Sequence, residues 1–190
     1  SKEIFQLALQ LAKPWYVSNV YFNELPSGKQ ELHIEIDFER DYTFETGSKL
    51  YDRDERTWRH FNFFQYECYL HCKVPRIKLP DGKVKTVEVP WARKGSGFTL
   101  LFEAFSMALI EREMPVNKAA DLMGVYPQRL WTIFHYWIRI AYNADDQSQV
   151  EKVGVDETSV RKGHDYVTVA ADLATRRVIH VTGGKDQASI

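Results

Sequence analysis

The chain has 190 residues, of which 44% are hydrophobic and 27% charged, with a formal net charge of −1. That mixture is ordinary for a water-soluble globular protein, and the length admits one large domain or two to three small ones. It excludes a wholly basic nucleic-acid binder. With two cysteines it excludes a disulfide scaffold, and with no signal peptide or membrane span in sight the expected compartment is the cytoplasm.

The charge is uneven along the chain. Residues 58–139 hold 12 Lys/Arg against 7 Asp/Glu, whereas residues 1–57 hold 7 against 11. A basic middle flanked by acidic ends places candidate DNA contacts in the middle. The chain opens on Ser1 rather than Met, as a piece of a longer chain would.

Ile4, Phe5, Leu7, Ala8 and Leu11 follow helical spacing up to Pro14. Tyr16 to Leu25 and Glu31 to Phe38 alternate apolar and polar around Pro26-Ser27-Gly28, which predicts a β-hairpin with Leu32, Ile34, Ile36 and Phe38 on one face. His33, on the polar face, receives no role. Residues 39–57 read as polar and turn-rich. A second β unit is predicted from Trp58 to about Leu79, with Pro80-Asp81-Gly82 turning into Lys83–Val89. Trp58, Phe61, Phe63, Phe64, Tyr66 and Tyr69 supply aromatic bulk for that unit.

Trp91-Ala92-Arg93-Lys94-Gly95-Ser96-Gly97 is a basic, glycine-punctuated linker, so Arg93 and Lys94 are candidate phosphate contacts. From Phe98 the period becomes helical. Leu100, Leu101, Phe105, Ala108 and Leu109 form the predicted buried stripe of a first helix, which Met114-Pro115 ends. A short helix with paired alanines (Val116–Met123), a turn at Gly124, and a helix opened by Pro127 then make a helix-turn-helix pattern. Leu130, Ile133, Phe134, Trp137 and Ile140 are its predicted buried stripe. Gln128, Arg129, Thr132, His135 and Arg139 fall on the other side. The first turns of such a second helix meet base edges, which makes Gln128 and Arg129 the base-contact candidates and Thr132 the next; Arg139 is a flanking phosphate contact.

Asn143 to Gln149 reads as a polar linker. Three strands follow, Lys152–Glu157, Tyr166–Leu173 and Arg177–Thr182, as an antiparallel meander. Val153 and Val155 share one face of the first strand; Gly154 and Asp156 share the other. Asp156 is expected to leave the sheet at the strand end beside Glu157, where a carboxylate can hold a divalent metal ion. Asp172 reads as a turn-former, and Glu157 and Asp165 as structural or supporting residues.

Several of these segments, in this order, carry a family resemblance. Thr57-Trp-Arg-His60, Val74-Pro-Arg76, Val84 to Arg93, Gly97-Phe-Thr99 and Val153-Gly-Val-Asp-Glu157 through Arg161-Lys-Gly-His-Asp-Tyr-Val-Thr-Val169 resemble the DDE-type insertion-sequence transposases of the ISL-three family. The resemblance runs from about Leu50 to the end. It implies an α+β chain: an N-terminal β-rich, zinc-ribbon-like module over residues 1–92, a helix-turn-helix over 93–145, and over 150–190 the opening three-stranded part of a ribonuclease-H-like catalytic domain. It implies double-stranded DNA, the terminal inverted repeats of an element, as partner. It also implies Mg2+ held by Asp156 as the first of three catalytic carboxylates in the full-length enzyme. Lys162 and His164 belong to the matching pattern without a derived role, a phosphate contact being open to Lys162.

The chain departs from the family where zinc ligands are expected: Phe44 to Ser48 and Leu79 to Gly82 hold no cysteine. Cys68 and Cys72 are about 13 Å apart along one strand face, too far to share a zinc ion. Zinc is therefore not expected. One carboxylate cannot clamp two metal ions, so this chain alone is not expected to catalyse transposition. The alternative reading is a non-enzymatic helix-turn-helix DNA-binding protein, such as a domesticated transposase or repressor, with the meander available for homodimer formation.

Overall fold

In the computed structural model residues 2–161 and 165–184 are described; Lys162 and His164 lie outside them. The chain divides into two compact units, Ser1–Phe134 and His135–Ile190.

The first unit is built on a sheet. Helix α1 (Lys2–Ala8) is followed by strands β1 (Trp15–Glu24), β2 (Gln30–Phe38), β3 (Lys49–Phe63), β4 (Tyr66–Lys78) and β5 (Val84–Thr86). β1 and β2 pair as the predicted hairpin. Gly28 closes the turn with φ 77°, a left-handed conformation that favours glycine. The strand order is β1-β2-β4-β3, with β5 on β4. β2 runs parallel to β4, from Glu31 beside Glu67 to Ile36 beside Cys72. That pairing fuses what read as two β units into one sheet with one core. The buried face carries Trp15, Leu32, Ile34, Ile36, Phe38, Trp58, Leu70 and Val74, and the loop residues Trp91 and Ala92 cover it. Trp91 packs edge-on against Trp15 and Trp58, with centroids 5.1 and 5.6 Å away.

Two expectations about this unit are corrected. The turn-rich reading of 39–57 holds only to Ser48, because β3 already begins at Lys49. Residues 52–56 are charged at every position, so the strand shows no apolar alternation. It is an edge strand secured by cross-strand charge: Arg76 on β4 donates from Nε to Asp52 Oδ1 at 2.6 Å. The β3–β4 turn has no Gly or Pro to announce it. Phe64 takes the positive φ there, 52°, and leaves its ring 81% exposed instead of adding it to the core. Cys68 and Cys72 are buried in the core as small apolar residues. Burial pushes both thiols up to about 12, opposite to what thiolate ligation needs.

Three helices follow: α2 (Leu100–Glu111), α3 (Val116–Met123) and α4 (Pro127–Ala144). Thr99 caps α2, its hydroxyl oxygen accepting from the Phe102 amide. The predicted stripe of α2 is on the wrong face. Phe102, Glu103 and Ser106 are buried, while Leu100, Leu101 and Phe105 are 37%, 55% and 38% exposed. Polar partners account for the inversion. Glu103, fully buried, accepts from Arg93 Nε at 2.9 Å and from the Ser96 hydroxyl at 2.5 Å, and Ser106 donates to the Phe102 carbonyl at 2.8 Å. The stripe of α4 holds at Leu130 and Ile133, which are buried, and fails at Ile140, which is 43% exposed.

The second unit starts within α4, not at the polar linker, and contains β6 (Val153–Arg161), β7 (Asp165–Asp172) and β8 (Arg177–Gly183). These form the predicted antiparallel meander. The linker is bonded to it: Gln147 donates to the Ile179 carbonyl at 3.0 Å, and Asp145 pairs with Arg177. Asp172 is the expected turn-former, accepting from the Ala174 amide at 2.9 Å and the Thr175 hydroxyl at 2.6 Å. Those hydrogen bonds hold its carboxyl below the usual range. Val153, Val155, Val178 and Val181 remain about half exposed.

Candidate nucleic-acid interface

The candidate base contacts sit where α3 turns into α4. α3 ends at Gly124, whose φ of 66° is left-handed and whose amide closes the helix onto Ala120 and Asp121. A Cβ there would also crowd Glu67 Oε1 at 3.2 Å, so the left-handed turn favours glycine and leaves little room for a side chain. The buried pair Ala119 and Ala120 gives α3 a small-residue face toward its neighbours. Val125 and Tyr126 then lead into Pro127, the first residue of α4, where a missing amide hydrogen costs nothing.

The sheet braces this corner through two of the segments that carried the resemblance. Arg59 on β3 donates its amide to Gly97 O at 2.9 Å, and its carbonyl accepts from the Thr99 amide at 3.1 Å. Its side chain, 5% exposed, donates to the carbonyl oxygens of His60 and Cys68 and to Asn62 Oδ1, and its guanidinium faces the Tyr69 and Phe102 rings. Phe98 stacks on Phe102 at 4.7 Å, and the Arg129 guanidinium lies 4.2 Å above Phe98. Arg59, Phe102, Phe98 and Arg129 thus form one chain of stacked contacts from the sheet to α4. His60 Nδ1 shares a hydrogen bond with the Thr99 hydroxyl at 2.8 Å; burial, then the neighbouring Arg59 charge, push its pKa down to about 4.

The candidate contacts fall into distinct environments. Gln128 is exposed, and its side chain has no partner among the described residues. Thr132 is exposed and donates its hydroxyl to the Gln128 carbonyl at 2.9 Å. Arg129 is anchored by Phe98, and a Cβ on Gly97 would stand 3.1 Å from its Nη2, so its guanidinium occupies a defined place. Lys94 is exposed on the rim of a cleft of about 530 Å3, shared with Arg56, Lys85 and Arg93. Arg93 differs from expectation. Its Nε is committed to buried Glu103, which makes it a brace for α2 before it is anything else. The ten-residue separation of that pair across a loop gave no sequence signal. Arg139 is exposed on the later turns of α4 and belongs to the second unit.

Asp156 is exposed but not at a strand end. β6 continues to Arg161 because residues 157–159 pair with 166–168 of β7, which leaves Asp156 opposite Val169 in mid-strand. Its Oδ1 accepts from the Glu157 amide at 2.9 Å. Among the described residues no group of three or more His, Cys, Asp or Glu side chains is arranged to hold a metal ion, and no helix is long and apolar enough to cross a membrane. Reading by residue type missed Arg59, whose burial depends on long-range contacts, and Tyr126, whose exposure beside α4 only the fold reveals.

Residues 87–138 match the family model described as the helix-turn-helix domain of transposase family ISL3, and residues 153–190 match the transposase model of the same family. Two curated relatives are transposases for insertion sequence element IS1557, from the CDC 1551/Oshkosh and ATCC 25618/H37Rv strains of Mycobacterium tuberculosis. Each is 27% identical over 143 residues, covering 74% of this chain and 32% of the relative. The chain therefore spans about a third of the length of those relatives. No solved structure matches it. The two matched models, both of transposase family ISL3, follow one another along the chain, the helix-turn-helix model over α2–α4 and the transposase model over the meander.

Proposed function

We propose that this chain is the DNA-recognising portion, and the opening of the catalytic domain, of a transposase that binds the terminal inverted repeats of an insertion sequence in the cytoplasm. The observation that carries the reading is the α3–Gly124–α4 arrangement with unpartnered Gln128 at the exposed start of α4, inside the segment matched by the helix-turn-helix family model. In this reading α3 crosses the DNA backbone and the first turns of α4 enter the major groove. Gln128 offers both a donor and an acceptor to a base edge, as adenine requires. Arg129, fixed over Phe98, and Thr132 complete the first two turns. Lys94 and Arg139 contact phosphates.

The sheet of residues 1–92 takes the place of the family's ribbon-like module and is held by its aromatic core. Strands β6, β7 and β8 are the first strands of a ribonuclease-H-like domain, and a homodimer suits the paired ends of an element. An exposed carboxylate on a hydrogen-bonded strand fits one position in the oxygen shell of a hard divalent ion, so Asp156 would hold Mg2+, with the other ligands supplied elsewhere in the full-length enzyme. Bound there, the ion supplies charge stabilisation at the reacting phosphate during DNA cleavage and strand transfer.

The test is binding of this chain to labelled duplexes carrying the ends of its element, against shuffled duplexes of equal length. Preference for the ends by tenfold or more, lost on Gln128→Ala, supports the reading. Equal affinity for both duplexes removes it.

A further inference from the structure

The exposed aromatics of the first unit mostly have partners. Phe22 packs on Tyr66 at 4.8 Å, Phe64 on Phe63 at 4.8 Å and Tyr42 on Phe44 at 5.1 Å, and Tyr51 lies under the Arg76 guanidinium at 5.8 Å. Tyr126 does not follow them. It is 79% exposed, and its side chain has no ring, cation or hydrogen-bond partner among the described residues.

Helix stability does not explain the residue either. Tyr126 immediately precedes α4, and its carbonyl accepts from the Arg129 amide at 2.9 Å, which makes it the capping position. That position favours Ser, Thr, Asp or Asn, whose short side chains can accept from the free amides of the first turn. A tyrosine cannot. An exposed aromatic therefore occupies a place where both solubility and capping favour a small polar residue. The backbone beneath it is stiff, because Pro127 fixes its own φ and restricts the residue before it, and Gly124 sets the turn. Tyr126, two positions before Gln128, lines an open cleft together with Arg59, Asp121 and Arg129.

We infer that Tyr126 reads DNA sequence: its ring packs against the apolar edge of a base, a thymine methyl being the matching group, next to the base met by Gln128. The inference rests on the helix-turn-helix reading of α3 and α4. Ring contact is favoured over a phosphate contact because the ring supplies most of the exposed surface, at a point where recognition helices meet base edges.

The experiment is selection from a randomised duplex library with the wild-type chain and with Tyr126→Ala, Tyr126→Phe and Tyr126→Ser, followed by affinity measurements on the wild-type consensus. Tyr126→Ala is expected to lose preference at one or two base pairs beside the Gln128-dependent position. On the consensus it should bind roughly tenfold more weakly, with binding to shuffled duplex unchanged. Tyr126→Phe should select the wild-type motif. Tyr126→Ser should lose the same preference while its melting midpoint stays level or rises, which a merely structural role would not produce. If Tyr126→Ala selects the wild-type motif with wild-type affinity, the inference is wrong. It is also wrong if Tyr126→Phe is as impaired as Tyr126→Ala, since the hydroxyl would then make the contact. If the wild-type chain enriches no motif at all, the DNA reading itself fails.

Discussion

The two sheets of this protein were built by different rules. The sheet of the first unit has a closed face: Leu32 and Leu70 are fully buried, and Trp58 and Trp91 seal it from β3 and from the loop after β5. The meander of the second unit has an open one. Val153, Val155, Val178 and Val181 are 46% to 55% exposed, and among its described residues the buried ones are the polar Thr168 and Asp172. A closed apolar face supplies its own folding free energy, whereas an open one is held chiefly by strand pairing and turns. The first sheet can thus position a binding surface rigidly. The second carries Asp156 on a strand whose apolar neighbours Val153 and Val155 are about half exposed.

The sharpest way to test this contrast is to cut into each sheet. Leu70→Ala removes a fully buried side chain and should destabilise the first unit by about 3–4 kcal/mol, whereas Val181→Ala should cost under about 1 kcal/mol. Denaturant melts of both variants decide it, and similar losses would erase the distinction. Next in size is the buried pair under α2. Glu103→Ala removes the buried carboxylate that accepts from Arg93 and Ser96, for a loss of about 3 kcal/mol.

Acid should act on the first unit in a comparable way. His60 is held neutral in the folded state with a pKa of about 4 against an ordinary 6.5, so the unfolded chain binds more protons between those values. Stability falls as pH drops through that window, by about 3 kcal/mol in total, and is unaffected above it. Denaturant midpoints from pH 7 to pH 4 should show this slope in the wild type and not in His60→Gln. At the small end, Arg177→Ala breaks the exposed Arg177–Asp145 pair of the second unit and should change stability by about 0.5 kcal/mol or less. Hydrogen exchange orders the whole series: amides of β2 and β4 should be protected longest and those of β8 least.

What the sequence disclosed follows the range of the contacts involved. The β1–β2 hairpin, the three helices and the meander are local, and their periodicity and turns were legible from Pro26-Ser27-Gly28, Gly124 and Pro127. The parallel pairing of β2 with β4 joins strands about 36 residues apart and has no local signature. β3 was obscured because its outer half alternates charge with charge. The face of α2 was misjudged because apolar residues were taken as the buried ones, whereas Glu103 is buried through Arg93, a partner ten positions earlier. Gln128 and Thr132 emerged in the exposed positions that helical spacing gave them. Arg129 was placed on the right element but not over Phe98, and Tyr126 was passed over because nothing in a linear pattern distinguishes an exposed tyrosine from a packed one.

The central claim is that the first unit presents a DNA-binding surface at the start of α4. The most direct test is the affinity of this chain for a duplex as salt is raised. At three or more phosphate contacts, the logarithm of affinity should fall against the logarithm of salt with a slope of about −3 or steeper, shallower by about one in Lys94→Ala. A flat dependence, or no binding at low salt, would contradict the account and leave the α3–α4 pair as packing alone.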